Sequence, residues 1–150
     1  MTARASYAAF VTQMDEILAV TGVTDGWTSN TGQPWAPDAG IVMEPWACDP
    51  ANPENSPRQI EFQVLGPAAG DPEADRDAVV RYMEERGMKV SGVFGGAPDS
   101  EADVPWTAYG KGENGMEIAY ASSLMRRGLS LAGECSSHPS MQDVVSRSEP

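Results

Sequence analysis

Residues 58–90 read RQIEFQVLGPAAGDPEADRDAVVRYMEERGMKV, and this stretch decides the fold. Its opening places Ile60, Phe62 and Val64 on one side of an extended chain, with Glu61 and Gln63 on the other. A period of two with one apolar side is the mark of a strand that is half buried and half wet. The pattern then changes period. Asp71 stands at a helix cap with Pro72 at the first helical position, where its missing N–H costs nothing. Asp75 and Asp77 follow early, where the helix dipole favours anions. Ala78, Val79, Tyr82 and Met83 form an apolar stripe, and Gly87 ends it. A helix is therefore expected over residues 72–86, lying on the strand Ile60–Val64. The chain then turns extended again in MKVSGVFGG, with Val90 and Gly92 on one face and Lys89, Ser91 and Val93 on the other.

Toward the N-terminus, Phe10, Met14, Ile17, Leu18 and Thr21 share a helical stripe flanked by Tyr7 and Val11. Ser6 is the expected N-cap of this helix and Gly22 its stop. The segment TDGWTSNTGQPWAPDAG reads as loop or short irregular strand, and IVMEPWAC as a short strand that Pro45 either confines to an edge or breaks. Toward the C-terminus, APDSEADVP is an acidic loop. WTAYGKGENGMEIAYASS is a hairpin whose Asn114–Gly115 pair suits positive φ. LSLAGEC closes the sheet. The order α-β-β-α-β-β-β-β, dominated by hairpins, predicts an α+β fold: an antiparallel sheet with two helices packed on one face. Residues 1–135 are expected to form one domain. Residues 136–150 read as a polar, mobile tail with one helical turn near Met141–Val145.

The chain has 150 residues, with Lys+Arg 10 against Asp+Glu 22, a net charge of −12. Nucleic acid is a poor partner for such a surface, and so is an anionic bilayer approached by charge alone. No apolar run is long enough to span a membrane. MTARASYAAFVTQMDEILAV lacks a clean signal-peptide core, because Thr12, Gln13, Asp15 and Glu16 interrupt it.

Chemistry-bearing motifs are sparse. His138 is the only histidine, and the two cysteines stand far apart, so no zinc spacing exists. DPEADRD lacks the glycine and closing glutamate of a calcium loop. No metal or cofactor is expected. No Gly-x-Ser-x-Gly is present. Glu44, Glu61 and Glu117 fall on expected strands, so a pair facing one cleft could serve a glycan hydrolase. Trp27, Trp35, Trp46 and Trp106 all lie in or beside loops. They are candidates for a sugar- or peptide-binding platform, against the alternative that they cap the sheet as core.

Cys48 and Cys135 both sit beside polar turn sequence, at the ends of two strands. That placement is unusual for core thiols, and a bridge between them is expected. In the chain-entropy model a loop of this length is worth about 4–5 kcal/mol. The gain is available outside the reducing compartment.

These residues together resemble the mature part of the LppA-like lipoproteins of actinobacteria. The likeness runs over residues 6–136. It comprises a helix beginning near SYAAF, a tryptophan ahead of the first cysteine (Trp27, then Cys48), and the strand IEFQV. After these come the helix ADRDAVVRYMEERG, the hairpin GKGENGMEIAY and a closing strand ending in GEC at Cys135. The resemblance implies export and a lipid-modified cysteine upstream. This chain has no lipobox, and the expectation is that Met1 stands where a signal and anchor were removed. The resemblance implies a location and no catalytic mechanism. The leading expectation is a non-enzymatic envelope domain, anchored on the outer side of the membrane, that binds an envelope protein or cell-wall glycan. The alternative is a phage- or prophage-encoded superinfection-exclusion or immunity protein. A carboxylate-dependent hydrolase ranks third.

Overall fold

A computed structural model describes residues 1–36, 41–95 and 104–142. The acidic loop expected after Gly95 and the last residues of the tail lie mostly outside them. Helix α1 spans Ala3–Thr21. Strands β1 (Thr28–Ser29), β2 (Pro45–Ala47) and β3 (Arg58–Gly66) follow, then helix α2 (Pro72–Glu85). β4 (Lys89–Phe94), β5 (Trp106–Lys111), β6 (Glu117–Ser122) and β7 (Arg127–Ala132) complete the sheet. The expected order holds, with one addition: two residues of the first loop pair as β1.

The sheet is antiparallel in the order β1-β3-β7-β6-β5-β4, with β2 also paired to β3. β3 and β4, adjacent in sequence across α2, therefore stand four positions apart. α2 crosses the sheet between them and lies on β4, β5 and β6, not on the strand Ile60–Val64 as expected; that strand order moves it there, and α1, packed on α2, covers β3 instead. Register and alternation put Ile60, Val64, Ile118, Tyr120, Leu129 and Leu131 on the helix face, all at most 2% exposed. α1 answers with Tyr7, Phe10, Met14 and Ile17, and α2 with Val79 and Met83. Ala78, expected in that stripe, is only half-buried.

Two local differences from the expectation have physical causes. α1 starts earlier than Ser6: Thr2 is its N-cap, its hydroxyl accepting from the Ala5 N–H at 3.1 Å. Ser6 instead lies inside the helix and is buried. Gly22 ends α1 as expected, at φ 78°. In the hairpin turn, Asn114 at φ 54° and Gly115 at φ 79° take the positive values expected of an Asn–Gly pair. Residues 136–142, read as the start of a free tail, pack onto the domain. Ser136 pairs with Arg58, the Ser140 hydroxyl accepts from the Ala3 N–H at 2.8 Å, and Met141 is fully buried. A single methionine supplies the apolar anchor that the polar composition around it conceals.

Polar groups fasten α2 to the sheet. Asp75 Oδ2 accepts from Tyr120 Oη (2.6 Å), Ser122 Oγ (2.6 Å) and Arg127 Nε (3.0 Å). Arg127 Nη1 also donates to the carbonyls of Pro67 and Ala68. Arg76 is buried, donates to the Phe94 and Thr107 carbonyls, and lies over the Trp106 ring at 5.3 Å.

Candidate functional site

The face of the sheet away from the helices presents the odd-numbered residues of β3. Cross-strand register carries these into rows. One row runs Glu61–Ala132–Glu117–Lys111–Lys89, and the next Gln63–Ser130–Ala119–Tyr109–Ser91. The central strands β7 and β6 contribute Ser130, Ala132 and Ala119, which are short. The flanking positions contribute long side chains. Small residues between taller ones leave a depression, a cleft of about 420 Å³ lined among others by Trp46, Glu61, Gln63, Glu117, Ala119 and Ser130. A cavity of that size accepts a ligand of a few residues. Along the same face a second hollow of about 330 Å³ shares Gln63 and continues over Leu65, Ala121 and Gly128.

Trp46 forms one wall of the cleft. It stands opposite Gln59 on the pairing of β2 with β3, and 57% of its surface is open. Its position is fixed from below. Gln59 is buried and donates to the carbonyls of Gly115 (2.9 Å) and Gly133 (2.8 Å). The Cys48–Cys135 disulfide joins the end of β2 to the segment after β7. The Cys135 N–H donates to the Asn114 carbonyl at 2.7 Å. Gly115 passes so close that a Cβ there would lie 2.5 Å from Cys135 Sγ. The bridge expected from sequence thus exists, and it holds the strand that carries Trp46.

The four tryptophans do not assemble into a platform. Trp27 is 3% exposed, donates to the Val23 carbonyl at 2.6 Å, and covers Gly66, where a Cβ would meet its ring at 2.7 Å. Trp35 stacks at 5.5 Å on Phe62 and donates to Asp15 of α1. Trp106 is half-buried beneath Arg76. Trp46 alone of the four lines the cleft. Three indoles serve packing because each found a partner within reach, a carbonyl for Trp27, Phe62 for Trp35 and the Arg76 guanidinium for Trp106, which no loop sequence announces.

The strand acids divide differently. Glu61 and Glu117 share the cleft, one strand apart with Ala132 between them, so their Cα atoms stand about 10 Å apart by strand spacing. Glu44 lies just ahead of β2 and is not among the lining residues. Glu117 has Lys111 beside it at 3.8 Å, with both side chains more than half exposed. His138 sits at the far end of the chain, its Nδ1 2.7 Å from the Ser140 hydroxyl.

No protein-family model matches this chain, and no curated protein or solved structure matches it either. The resemblance to the LppA-like lipoproteins therefore rests on the residues quoted for it.

Proposed function

We propose that this domain is a non-enzymatic binding module of the cell envelope, held outside the membrane by a lipid anchor on its precursor, which takes its ligand on the open face of the sheet. The observation that carries this reading is the cleft bounded by Trp46. A large indole left more than half open beside a hollow of mixed lining, where Phe62 and Leu131 stand with Glu61, Gln63 and Glu117, adds little to the packing of the core, and exposed aromatics in such a setting serve as anchors of binding sites. The disulfide supports the extracytoplasmic part of the reading, since structural bridges form and persist chiefly in oxidising compartments. The lipoprotein likeness implies the same place.

The pair Glu61 and Glu117 invites comparison with a glycoside hydrolase. Acid catalysis at a glycosidic bond needs one carboxyl kept protonated by burial. Glu61 and Glu117 are both exposed, and Glu117 has a lysine beside it. The pair suits recognition better than bond cleavage.

The test is fluorescence quenching by acrylamide, a neutral quencher that an acidic surface does not repel. Trp46 should account for most of the quenchable emission, and Trp46→Phe should remove it. Soluble peptidoglycan fragments, cell-wall glycans and basic peptides are the probes. Protection by at least one supports the reading, and protection by none contradicts it.

A further inference from the structure

We infer that the cleft receives a cationic side chain, lysine or arginine, presented by an extended segment of a partner protein. This deepens the binding reading above and rests on it.

Four features of the cleft converge on that chemistry. First, the charged side chains that line it, Glu61 and Glu117, are both carboxylates. They flank Ala132 in one row, so an ammonium or guanidinium seated over Ala132 has a carboxylate on either side and shares Glu117 with Lys111, whose exposed contact at 3.8 Å is loose enough to yield. Second, the exposed Trp46 ring stands on the same face. An indole is the best aromatic partner for a cation, through the negative charge on its ring face. Third, Ala119, Ser130 and Ala132 are short enough to let an extended chain approach the sheet. The amide of Gln63 and the hydroxyl of Ser130, in register with each other, offer donors and acceptors for its backbone. Fourth, the whole molecule carries a net charge of −12, which steers a basic segment toward it and disfavours an acidic one. A neutral glycan would stack on Trp46 and donate hydroxyls to the two carboxylates, but it would leave their charges uncompensated. A basic peptide compensates both.

The experiment titrates the intact protein with a capped peptide, Gly-Lys-Gly-Lys-Gly, with the same peptide acetylated on both lysines, and with a neutral chitin oligosaccharide. Calorimetry and Trp46 emission are read together. The lysine peptide should bind, its affinity should fall as salt is raised, and acetylation should weaken it by about tenfold or more, the scale of one lost charge-assisted contact. Glu61→Gln combined with Glu117→Gln should weaken it as much. Glu84→Gln with Glu85→Gln, an exposed pair on α2 that removes the same net charge, should leave it unchanged. Equal binding of the acetylated and free peptides overturns the inference. So does an equal loss in both double variants, which would mean attraction to the overall charge and no seat in the cleft. Binding of the oligosaccharide alone overturns the cationic ligand while leaving the cleft as the binding site. Binding of none of the three overturns the inference, and the peptidoglycan fragments named above then decide the binding reading by themselves.

Discussion

Arg127 Nε lies 3.0 Å from Asp75 Oδ2, in an ion pair whose side chains are 8% and 6% exposed. Asp75 belongs to the first turn of α2 and Arg127 opens β7, so the pair fastens a helix to the middle of the sheet. The same carboxylate also accepts from Tyr120 and Ser122. Breaking a buried pair by removing one partner leaves an uncompensated charge, at a cost of about 3–5 kcal/mol. Asp75→Ala should lose that much in urea unfolding. Asp75→Ala with Arg127→Met should lose clearly less than the two single changes summed, because the coupling is counted in each. Additive losses would show that the two residues do not act together.

Stability should fall at alkaline pH, through two tyrosines. Burial, reinforced by the hydrogen bond to Glu16, pushes the Tyr82 phenol up to about 12. Burial and the Asp75 carboxylate push Tyr120 up as well. A phenol in the unfolded chain releases its proton near pH 10. As pH climbs past that value the unfolded chain deprotonates while the folded one does not. The contribution is therefore complete below about pH 10 and is lost as pH rises toward 12. Urea midpoints should drop steeply over that window in the wild type and less steeply in Tyr82→Phe with Tyr120→Phe. Parallel curves would contradict the assignment.

The helix-and-strand frame was legible because period and caps are local signals. Asp71, Pro72 and Val79 named α2, and Ile60, Glu61, Phe62, Gln63 and Val64 named both the strand and its wet face. Glu61 and Gln63 did end on the open face that forms the cleft. The remainder depends on strand order, which no local pattern encodes. Ser130 and Ala119 meet Gln63 only because β7 and β6 follow β3 in the sheet. Asp75 read only as an acid that the helix dipole favours, since nothing near it in sequence points to Arg127. The tryptophans misled for a related reason. Their loop positions suggested exposure, but Trp27 folds back onto Gly66 and Trp35 onto Phe62.

The disulfide should matter most to Trp46. Denatured, unreduced protein should show no free thiol, given the bond between Cys48 and Cys135. Cys48→Ser with Cys135→Ser releases a chain constraint worth about 4–5 kcal/mol on the chain-entropy model. β2 is only three residues long and pairs with β3 alone. Hydrogen exchange in the double variant should therefore accelerate first at Trp46 and Ala47. Uniform acceleration over the whole sheet would show that the bridge stabilises the domain without holding the cleft wall in particular.

The central claim is that the open sheet face is the working surface, and amide and indole chemical-shift mapping tests it most directly. Uniformly 15N-labelled protein is titrated with the lysine peptide and, separately, with soluble peptidoglycan fragments. At least one should move the Trp46 indole resonance together with the amides of Gln63, Ala119, Ser130 and Ala132, and leave α1 and α2 still. Shifts confined to another surface, such as the exposed Leu124–Met125 turn, or no shifts with either probe, would contradict the account.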